Sequence, residues 1–114
     1  MTRVSAKAAR LIIFTRNIEK MATFYSEALG LKCLEDTSTW KRYDAGGIEI
    51  GLHSGSPELG RKAPKLSFYA RDVARKREQL NAQGAKFGKV RIFDKLHMSV
   101  GKDPDGNPLQ ICNR

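Results

Sequence analysis

Apolar and polar residues follow the same order twice along this chain. Leu11–Ile18, a short apolar run that ends in Arg, Asn and Ile, is matched later by Leu66–Val73, which ends in Arg, Asp and Val. Runs of this length and composition are typical of buried strands. After each run, apolar residues recur at helical spacing until a glycine, Gly30 in the first copy and Gly84 in the second. The repeat predicts two similar half-domains, which would face each other across a cleft.

Each predicted helix is preceded by a residue that favours its start, and strand candidates follow it. Asn17 and Asp72 stand at the two N-cap positions, where their side chains are expected to accept backbone N–H groups. The strand candidates, separated by turn residues, are Leu31–Glu35, Trp40–Tyr43 and Ile48–His53 in the first half, and Ala85–Phe87, Val90–Phe93, His97–Val100 and Leu109–Cys112 in the second. We expect each half to have the order strand–helix–strand–strand–strand, although the second half has one strand candidate more than this order needs.

A chain of 114 residues fits one domain with one core. We expect a single domain over residues 1–114, with internal modules at about 8–54 and 63–113. The linker-like stretch Ser54–Pro64, which is rich in Ser, Gly and Pro, separates them. Each module alone would be marginally stable, so the two are expected to fold as a unit.

The last strands of both halves alternate between apolar and polar residues. Ile50 and Leu52 alternate with Glu49, Gly51 and His53, and Gln110 lies between two apolar residues near the end of the chain. Successive side chains of a strand point to opposite faces. The apolar set is expected to pack on the helices, so Glu49, His53 and Gln110 are candidates to line the cleft.

The net charge of +9 lies mostly in the second half. The first 57 residues carry 8 Lys and Arg against 6 Asp and Glu, whereas residues 58–114 carry 13 against 6. A basic half favours anionic partners such as an acidic metabolite, phosphate or nucleic acid. A solvated helix face would produce the same imbalance, because four basic residues cluster on the second predicted helix: Arg71, Arg75, Lys76 and Arg77.

Several classes of protein and of site are disfavoured. No apolar run reaches the roughly 20 residues of a membrane span, and the N-terminus has no apolar signal core. We therefore expect a cytoplasmic protein that does not associate with a membrane. Cys33 and Cys112 are too few for a disulfide framework and are expected to be reduced thiols. Neither a GxSxG nucleophile elbow nor a GxxxxGK[ST] phosphate loop is present.

Two segments resemble a known family. Phe24–Lys32 is similar to the "FYxxxLGxx" helix end, and Lys102–Ile111 to the closing "DPDGNxxEL" segment, of the vicinal oxygen chelate superfamily. This group includes glyoxalase I, bleomycin resistance proteins and extradiol dioxygenases. The resemblance extends from about Arg10 to Ile111. It implies an α+β fold in which two βαβββ modules form a curved, mostly antiparallel sheet with a cleft, and it implies a homodimer.

The resemblance also implies where a metal would be bound. Metal-dependent relatives use one residue from each of four strands, usually His in the first strand and Glu in the last strand of each half, to hold a divalent ion with open positions. These positions fall at Arg10 and Lys65, at Gln110, and at Glu49 or, in an alignment without a gap, Gly51. Arg and Lys are donors that do not bind a cation, so the resemblance implies a missing metal centre and no cofactor.

Three interpretations of the substituted positions stay open. Arg10, Glu49, Lys65 and Gln110 would form a salt-bridge network in place of the metal. Alternatively, Arg10 would grip a carboxylate or phosphate in a bidentate anion site. In the third interpretation Arg10 and Lys65 reach into solvent from the strand ends.

Histidine and aromatic residues provide further candidates for the site. His53 and His97 lie outside the family's ligand positions; each would act as a general acid or base, or as an ordinary cleft or surface histidine. Trp40 and Tyr43, together with Phe14 and Tyr69, would line a pocket for a flat ligand or belong to the core.

The sequence thus favours a metal-free small-molecule binding protein of the glyoxalase and bleomycin-resistance type, with an anionic or neutral ligand. A metal-dependent lyase, isomerase or dioxygenase with a divalent transition metal is the alternative, and it requires His53, His97 or Glu49 to coordinate. Binding of nucleic acid or a protein partner through the basic half is a third hypothesis, and nucleic acid is the less favoured partner.

Overall fold

The computed structural model describes residues 9–56, 58 and 65–114. Two modules of the same order follow one another in this part of the chain. The first contains β1 (Arg10–Thr15), α1 (Ile18–Thr23), a π-helical segment (Phe24–Ala28), β2 (Lys32–Asp36), β3 (Trp40–Asp44) and β4 (Glu49–Ser54). The second contains β5 (Leu66–Tyr69), α2 (Val73–Ala82), β6 (Arg91–Phe93), β7 (Leu96–Lys102) and β8 (Pro108–Cys112).

The strands form two four-stranded sheets, one from each module, in the orders β1-β4-β3-β2 and β5-β8-β7-β6. In each sheet the first strand runs parallel to the last strand of its module, and the other neighbours are antiparallel. The predicted α+β fold of two βαβββ modules with mostly antiparallel strands is confirmed. The strands are divided between two sheets rather than joined in one.

Helices cover one face of each sheet. Ile50 and Leu52 of β4, and Leu109 and Ile111 of β8, are fully or almost fully buried, as their alternation predicts. Met21 and other apolar residues of α1 and the π-helical segment meet the first pair, and α2 packs on the second sheet. The buried residues of both modules belong to one hydrophobic cluster, so the two sheets share a core.

The helix ends agree with the predicted residues at three of four positions. The Asp72 carboxylate accepts the backbone N–H of Arg75 at 3.1 Å and caps α2. Gly30 (φ +70°) and Gly84 (φ +112°) take the left-handed conformation after the helices. Asn17 precedes α1, but its side chain makes no capping bond. Its own N–H instead donates to the Thr15 hydroxyl at 2.9 Å, so the expected cap is corrected.

The predicted strand Ala85–Phe87 is also wrong. Ala85 and Phe87 are buried, as a strand-like alternation suggested, but no ladder includes them. The Asn81 side chain takes the place of a neighbouring strand: its carbonyl accepts the Phe87 N–H at 2.8 Å and its amide donates to the Phe87 carbonyl at 3.0 Å. A side chain therefore satisfies the backbone groups that a strand would pair with another strand.

Two hydrogen bonds between described residues join the modules. The buried Tyr25 hydroxyl donates to the Asp103 carboxylate at 2.8 Å, and the Gln83 amide donates to the Ala28 carbonyl at 3.0 Å. Asp103 also accepts the N–H groups of Asp105 and Asn107, which shapes the turn between β7 and β8. Tyr25 and Asp103 belong to the two segments that carry the family resemblance, so those segments meet to hold the fold.

Some sequence predictions concern residues outside the described part of the chain. They include the N-terminal stretch 1–7, the first residue of each predicted module, and most of the linker Ser54–Pro64. Among the described residues, no helix has the length and apolar character needed to cross a membrane.

Candidate functional site

The first sheet turns alternate residues away from the helices, and we call this uncovered surface its open face. Strand alternation and register place on it Glu49 and His53, two of the three residues that the sequence predicted for the cleft. The open face of the first sheet consists of Arg10, Ile12, Phe14, Lys32, Glu35, Trp40, Arg42, Asp44, Glu49, Gly51 and His53. Its charged residues gather at one end and its aromatic residues at the other.

The charged end is a chain of ion pairs centred on Glu49. Parallel pairing of β1 and β4 sets Arg10 beside Glu49, and the Arg10 Nε donates to Oε1 at 3.3 Å. From the neighbouring strand, the Arg42 Nη1 donates to the second oxygen, Oε2, at 2.7 Å. Arg42 also contacts Glu35 Oε1 at 3.3 Å. Both carboxylate oxygens of Glu49 are therefore held by guanidinium groups.

These contacts shift the protonation equilibria of the pair. The hydrogen bond from Arg42, followed by that from Arg10, lowers the pKa of the Glu49 carboxyl below its ordinary value. The same bond to Glu49 and the contact with Glu35 raise the pKa of Arg42. Glu49 and Arg42 therefore stay charged over a wider pH range than the same side chains would in isolation.

The aromatic end surrounds a glycine. The Trp40 indole lies over Gly51 so closely that a Cβ there would be 2.3 Å from the ring atom Cη2. The His53 ring lies between two aromatic rings, with centroids 5.2 Å from Phe14 and 6.0 Å from Trp40. The Trp40 indole N–H donates to Glu35 Oε1 at 2.8 Å and so links the two ends of the open face.

The second sheet has an open face of its own. Ser67 and Gln110 are neighbours on β5 and β8, and the Gln110 amide donates to the Ser67 hydroxyl at 2.9 Å. Around them lie large apolar side chains with unusual exposure: Tyr69 is 68% exposed, Phe93 57% and Val100 38%. A surface of this kind is typical of faces that are covered by another molecule.

The four residues at the family's ligand positions are divided between the two sheets. Arg10 and Glu49 are in direct contact on the first sheet. Gln110 lies on the second sheet, and Lys65 is an exposed residue just before β5 begins. Gly51, the alternative position, faces the Trp40 ring. One chain therefore brings together two of the four residues rather than the whole set.

Two other candidates lie away from the open faces. Tyr43 is 2% exposed and belongs to the core beneath β3, where burial raises the pKa of its phenol to about 12. Trp40, three residues earlier, points to the open face of the first sheet. Of these two residues, Trp40 is therefore the one placed to contact a ligand on that face. His97 lies on the helix side of β7 and its backbone pairs with Asn113. His53 and His97 consequently belong to different sheets and opposite faces.

Sequence reasoning missed Arg42 and Glu35, which complete the ion pairs. The signal for Arg42 was available, because Arg42 alternates with Lys41 and Tyr43 and shares the parity of Trp40. Glu35 carries no comparable signal. A bulge between Cys33 and Glu35 shifts the register of β2 and aligns Glu35 with Arg42.

Metal-binding side chains are scattered over the described residues. Within 9–56, 58 and 65–114, no three His, Cys, Asp or Glu side chains are grouped as a metal ion would require. Glu49, the carboxylate at a family ligand position, is occupied by Arg10 and Arg42. An ion at this point would have to displace both guanidinium groups.

Comparison with solved structures gives the same fold. A lactoylglutathione lyase from Agrobacterium tumefaciens superposes with a TM-score of 0.75 at 13% identity, covering 96% of this chain and 95% of that one. An antibiotic-binding protein from a Streptomyces species superposes with a TM-score of 0.79 at 18% identity, covering 96% of this chain and 97% of that one. A glyoxalase, bleomycin resistance protein or dioxygenase from Nocardioides superposes with a TM-score of 0.78 at 15% identity, covering 97% of this chain and 85% of that one.

No curated protein sequence matches the chain significantly. The sequence profile of one family does match, over residues 7–111, and this range includes both modules and both resembling segments. The chain belongs to the Glyoxalase/Bleomycin resistance protein/Dioxygenase superfamily.

Proposed function

We propose that this protein binds a small flat molecule, anionic or neutral, on the open face of the first sheet without a metal ion. The observation that carries the proposal is the state of Glu49, whose two carboxylate oxygens are bound by Arg10 and Arg42. A charge-satisfied carboxylate is a poor ligand for an open metal site, because coordination must compensate for the lost ion pairs.

The aromatic end supports the class of ligand. Trp40, His53 and Phe14 offer ring faces and edges on which a planar molecule would stack. Arg10 and Arg42 lie at the adjoining charged end and offer N–H donors to an acceptor or carboxylate at the edge of that molecule. The net charge of +9 repels cations at long range and favours anions.

A homodimer is the second part of the proposal, because one copy leaves both open faces uncovered. Tyr69, Phe93 and Val100 expose apolar surface on the second sheet, and Ile12 does so on the first. The radius of gyration is 15.0 Å. A compact domain of this length is expected to have about 13 Å. A second copy seated on these faces would bury the apolar surface and provide a wall for the ligand.

Cytoplasmic location is the third part. Cys33 is exposed on β2 and Cys112 is buried on β8, in different sheets, so the pair is not placed to form a disulfide within one chain. Such free thiols are typical of reducing compartments. Fractionation of the native cell, with Cys33 labelled by maleimide in the lysate, checks this part.

Benzoate, benzamide and benzamidinium test the ligand class, because they share shape and differ in charge. We expect benzoate and benzamide to quench Trp40, the single tryptophan of the chain, and to shift the Gly51 amide resonance, whereas benzamidinium binds more weakly. Trp40→Leu should abolish the Gly51 shifts, and Phe24→Leu, on the π-helical segment, should retain them. Tightest binding by benzamidinium, or equal losses in both variants, would refute the proposal.

Elemental analysis of protein purified without chelator tests the metal-free part. We expect less than one-tenth of an equivalent of any transition metal, in wild type and in Glu49→Gln alike. A stoichiometric metal that is lost in Glu49→Gln or His53→Ala would instead establish the metal-dependent lyase, isomerase or dioxygenase. Sedimentation analysis tests the dimer: wild type should sediment as two copies and Tyr69→Lys as one, and a monomeric wild type would contradict it.

A further inference from the structure

A pocket at the junction of the modules shares no lining residue with the open face of the first sheet. Its volume is about 500 Å³, and we call it the junction pocket. One wall comes from α1 and the π-helical segment, and the other from the end of β7, the following turn and the residues after α2. The lining residues are Lys20, Phe24, Gly84, Lys86, Gly101, Lys102, Asp103 and Pro104.

The walls of the junction pocket are held in place by the bonds that join the modules. Tyr25 is next in sequence to the lining residue Phe24. Its hydroxyl donates to the carboxylate of Asp103, on the opposite wall, at 2.8 Å. Gln83 precedes Gly84, and its amide is bound to Ala28 at 3.0 Å. The pocket is therefore built by the fold and needs little rearrangement to receive a ligand.

Two glycines of the lining stand at positions that disfavour a side chain. At Gly101 a Cβ would approach the Phe87 ring to 3.0 Å, so the strand and this core ring lie in close contact there. Gly84 has a φ of +112°, a conformation that side chains other than glycine rarely adopt. The half-buried Phe24 ring and Pro104 add apolar surface.

The charge of the lining is positive and unneutralised. Lys20, Lys86 and Lys102 are exposed, and within the described residues none of them has a carboxylate within 4.0 Å. Asp103 is the one carboxylate of the lining, so three ammonium groups against one carboxylate leave a net charge of +2. The described cations that are paired with acids, Lys41, Arg10 and Arg42, lie outside the lining.

Asp103 does not compete for these lysines. Its carboxylate accepts four hydrogen bonds, from the Tyr25 hydroxyl, the Asn107 amide, and the backbone N–H groups of Asp105 and Asn107, at 2.7–3.0 Å. Asp105, on the same turn, is not part of the lining. The lysine ammonium groups remain available as donors for an incoming anion.

We infer that the junction pocket is a second binding site, for a small phosphate monoester that carries an apolar group. The three lysines surround the phosphate oxygens as compact, strongly charged donors. The Phe24 ring and Pro104 contact the apolar group. This site is separate from the open face and does not depend on the ligand proposed there.

Phenyl phosphate is the probe for this site, with benzyl alcohol as the uncharged control and inorganic phosphate to test the need for a ring. In ¹⁵N-labelled wild type, phenyl phosphate should shift the Gly84 and Gly101 amides to saturation. Benzyl alcohol should leave them unchanged, and inorganic phosphate should bind more weakly. Any shift of Gly51 or of the Trp40 indole should follow a different saturation curve, which separates this site from the open face.

Lysine variants assign the binding to the pocket. Lys20→Gln and Lys102→Gln should each lower the affinity for phenyl phosphate by about threefold, and the double variant should lower it by about tenfold. Lys32→Gln on β2 makes the same change in net charge outside the pocket and should have no effect. Because all three side chains are exposed, folding is not at risk.

Three results would overturn the inference. The first is an absence of saturable shifts at Gly84 and Gly101. The second is an equal loss of affinity in Lys32→Gln, which would show a general charge effect. The third is a single-stranded oligonucleotide that displaces phenyl phosphate while shifting Arg75 and Lys76 on α2, which would assign the basic surface to nucleic acid instead.

Discussion

Removing the Tyr25 hydroxyl should cost this protein about 2 kcal/mol of stability. Tyr25 is fully buried, and its hydroxyl is 2.8 Å from the carboxylate of Asp103, which is 5% exposed. Tyr25→Phe preserves the ring and its packing, and it leaves the carboxylate with three of its four donors. A hydrogen bond to a charged group contributes about 1.5–3 kcal/mol. For a domain of this length, about 2 kcal/mol corresponds to a fall in Tm of about 8 °C.

Thermal and urea unfolding measure the effect, with Tyr69→Phe as the matched control. Tyr69 is 68% exposed on β5, so loss of its hydroxyl should change the free energy of unfolding by about 0.5 kcal/mol or less. Because the Tyr25 bond joins the modules, the transition of Tyr25→Phe should also lose cooperativity. Equal stabilities of the two variants would refute the role of the Tyr25–Asp103 bond.

Three further predictions follow from particular contacts. Burial and, to a smaller extent, the neighbouring Asp103 raise the pKa of the Tyr25 phenol above its ordinary value of 10.0. The protonated phenol therefore stabilises the folded state below pH 10, and this contribution is lost as the pH rises above 10. Wild type should consequently lose more stability than Tyr25→Phe between about pH 10 and 12. Gly51→Ala should expel the Trp40 indole and shift its fluorescence to the red. Asp72→Ala should cost about 1 kcal/mol, whereas Asn17→Ala, which removes no capping bond, should cost less.

Each of these predictions has an outcome that contradicts it. Parallel pH profiles of wild type and Tyr25→Phe would show that the phenol does not contribute to alkaline unfolding. An unchanged emission spectrum in Gly51→Ala would show that the indole does not rest on this glycine. Equal losses in Asp72→Ala and Asn17→Ala, measured by urea unfolding, would remove the distinction between the two helix starts.

The fold was largely predictable because periodicity reports which face of an element is buried. The apolar run that starts at Leu11 was predicted to form a buried strand and lies in β1 (Arg10–Thr15), and the last strand was placed within one residue of Pro108–Cys112. Glycines that need a positive φ marked both helix ends. These features depend on local backbone conformation and on alternation, which the sequence shows directly.

The errors concern residues whose partners are distant in sequence or chemically unexpected. Ala85–Phe87 alternates like a strand, yet the Asn81 side chain binds its backbone. Lys41 stands at a core position of β3 and is 5% exposed, because its ammonium group reaches Glu19 on α1 and Asp36 on β2. No local pattern distinguishes a buried, paired lysine from an exposed one.

The candidate site was predictable in part for the same reason. Alternation correctly placed Glu49 and His53 on the face away from the helices, and the family resemblance implied that Arg10 lies near Glu49. Arg10 and Glu49 are separated from Lys65 and Gln110 because each module forms a sheet of its own. The repeat in the sequence does not reveal whether the strands of the two modules join in one sheet. Tyr43 was included by residue type, although it lies on the buried face of β3, opposite Trp40 and Arg42.

The two segments that identify the family therefore inform the fold more than the chemistry. Tyr25 of the first segment and Asp103 of the second bind each other, and the turn around Asp103 uses its carboxylate to organise backbone N–H groups. A chain can keep the contact between these segments and change its reaction, since Tyr25 and Asp103 are buried away from the open faces. The proposed chemistry rests on the strand positions of Arg10 and Glu49, where the family resemblance implies metal ligands and the structure has an ion pair. Ligand assays should accordingly be directed at these strands, and stability assays at the motif residues.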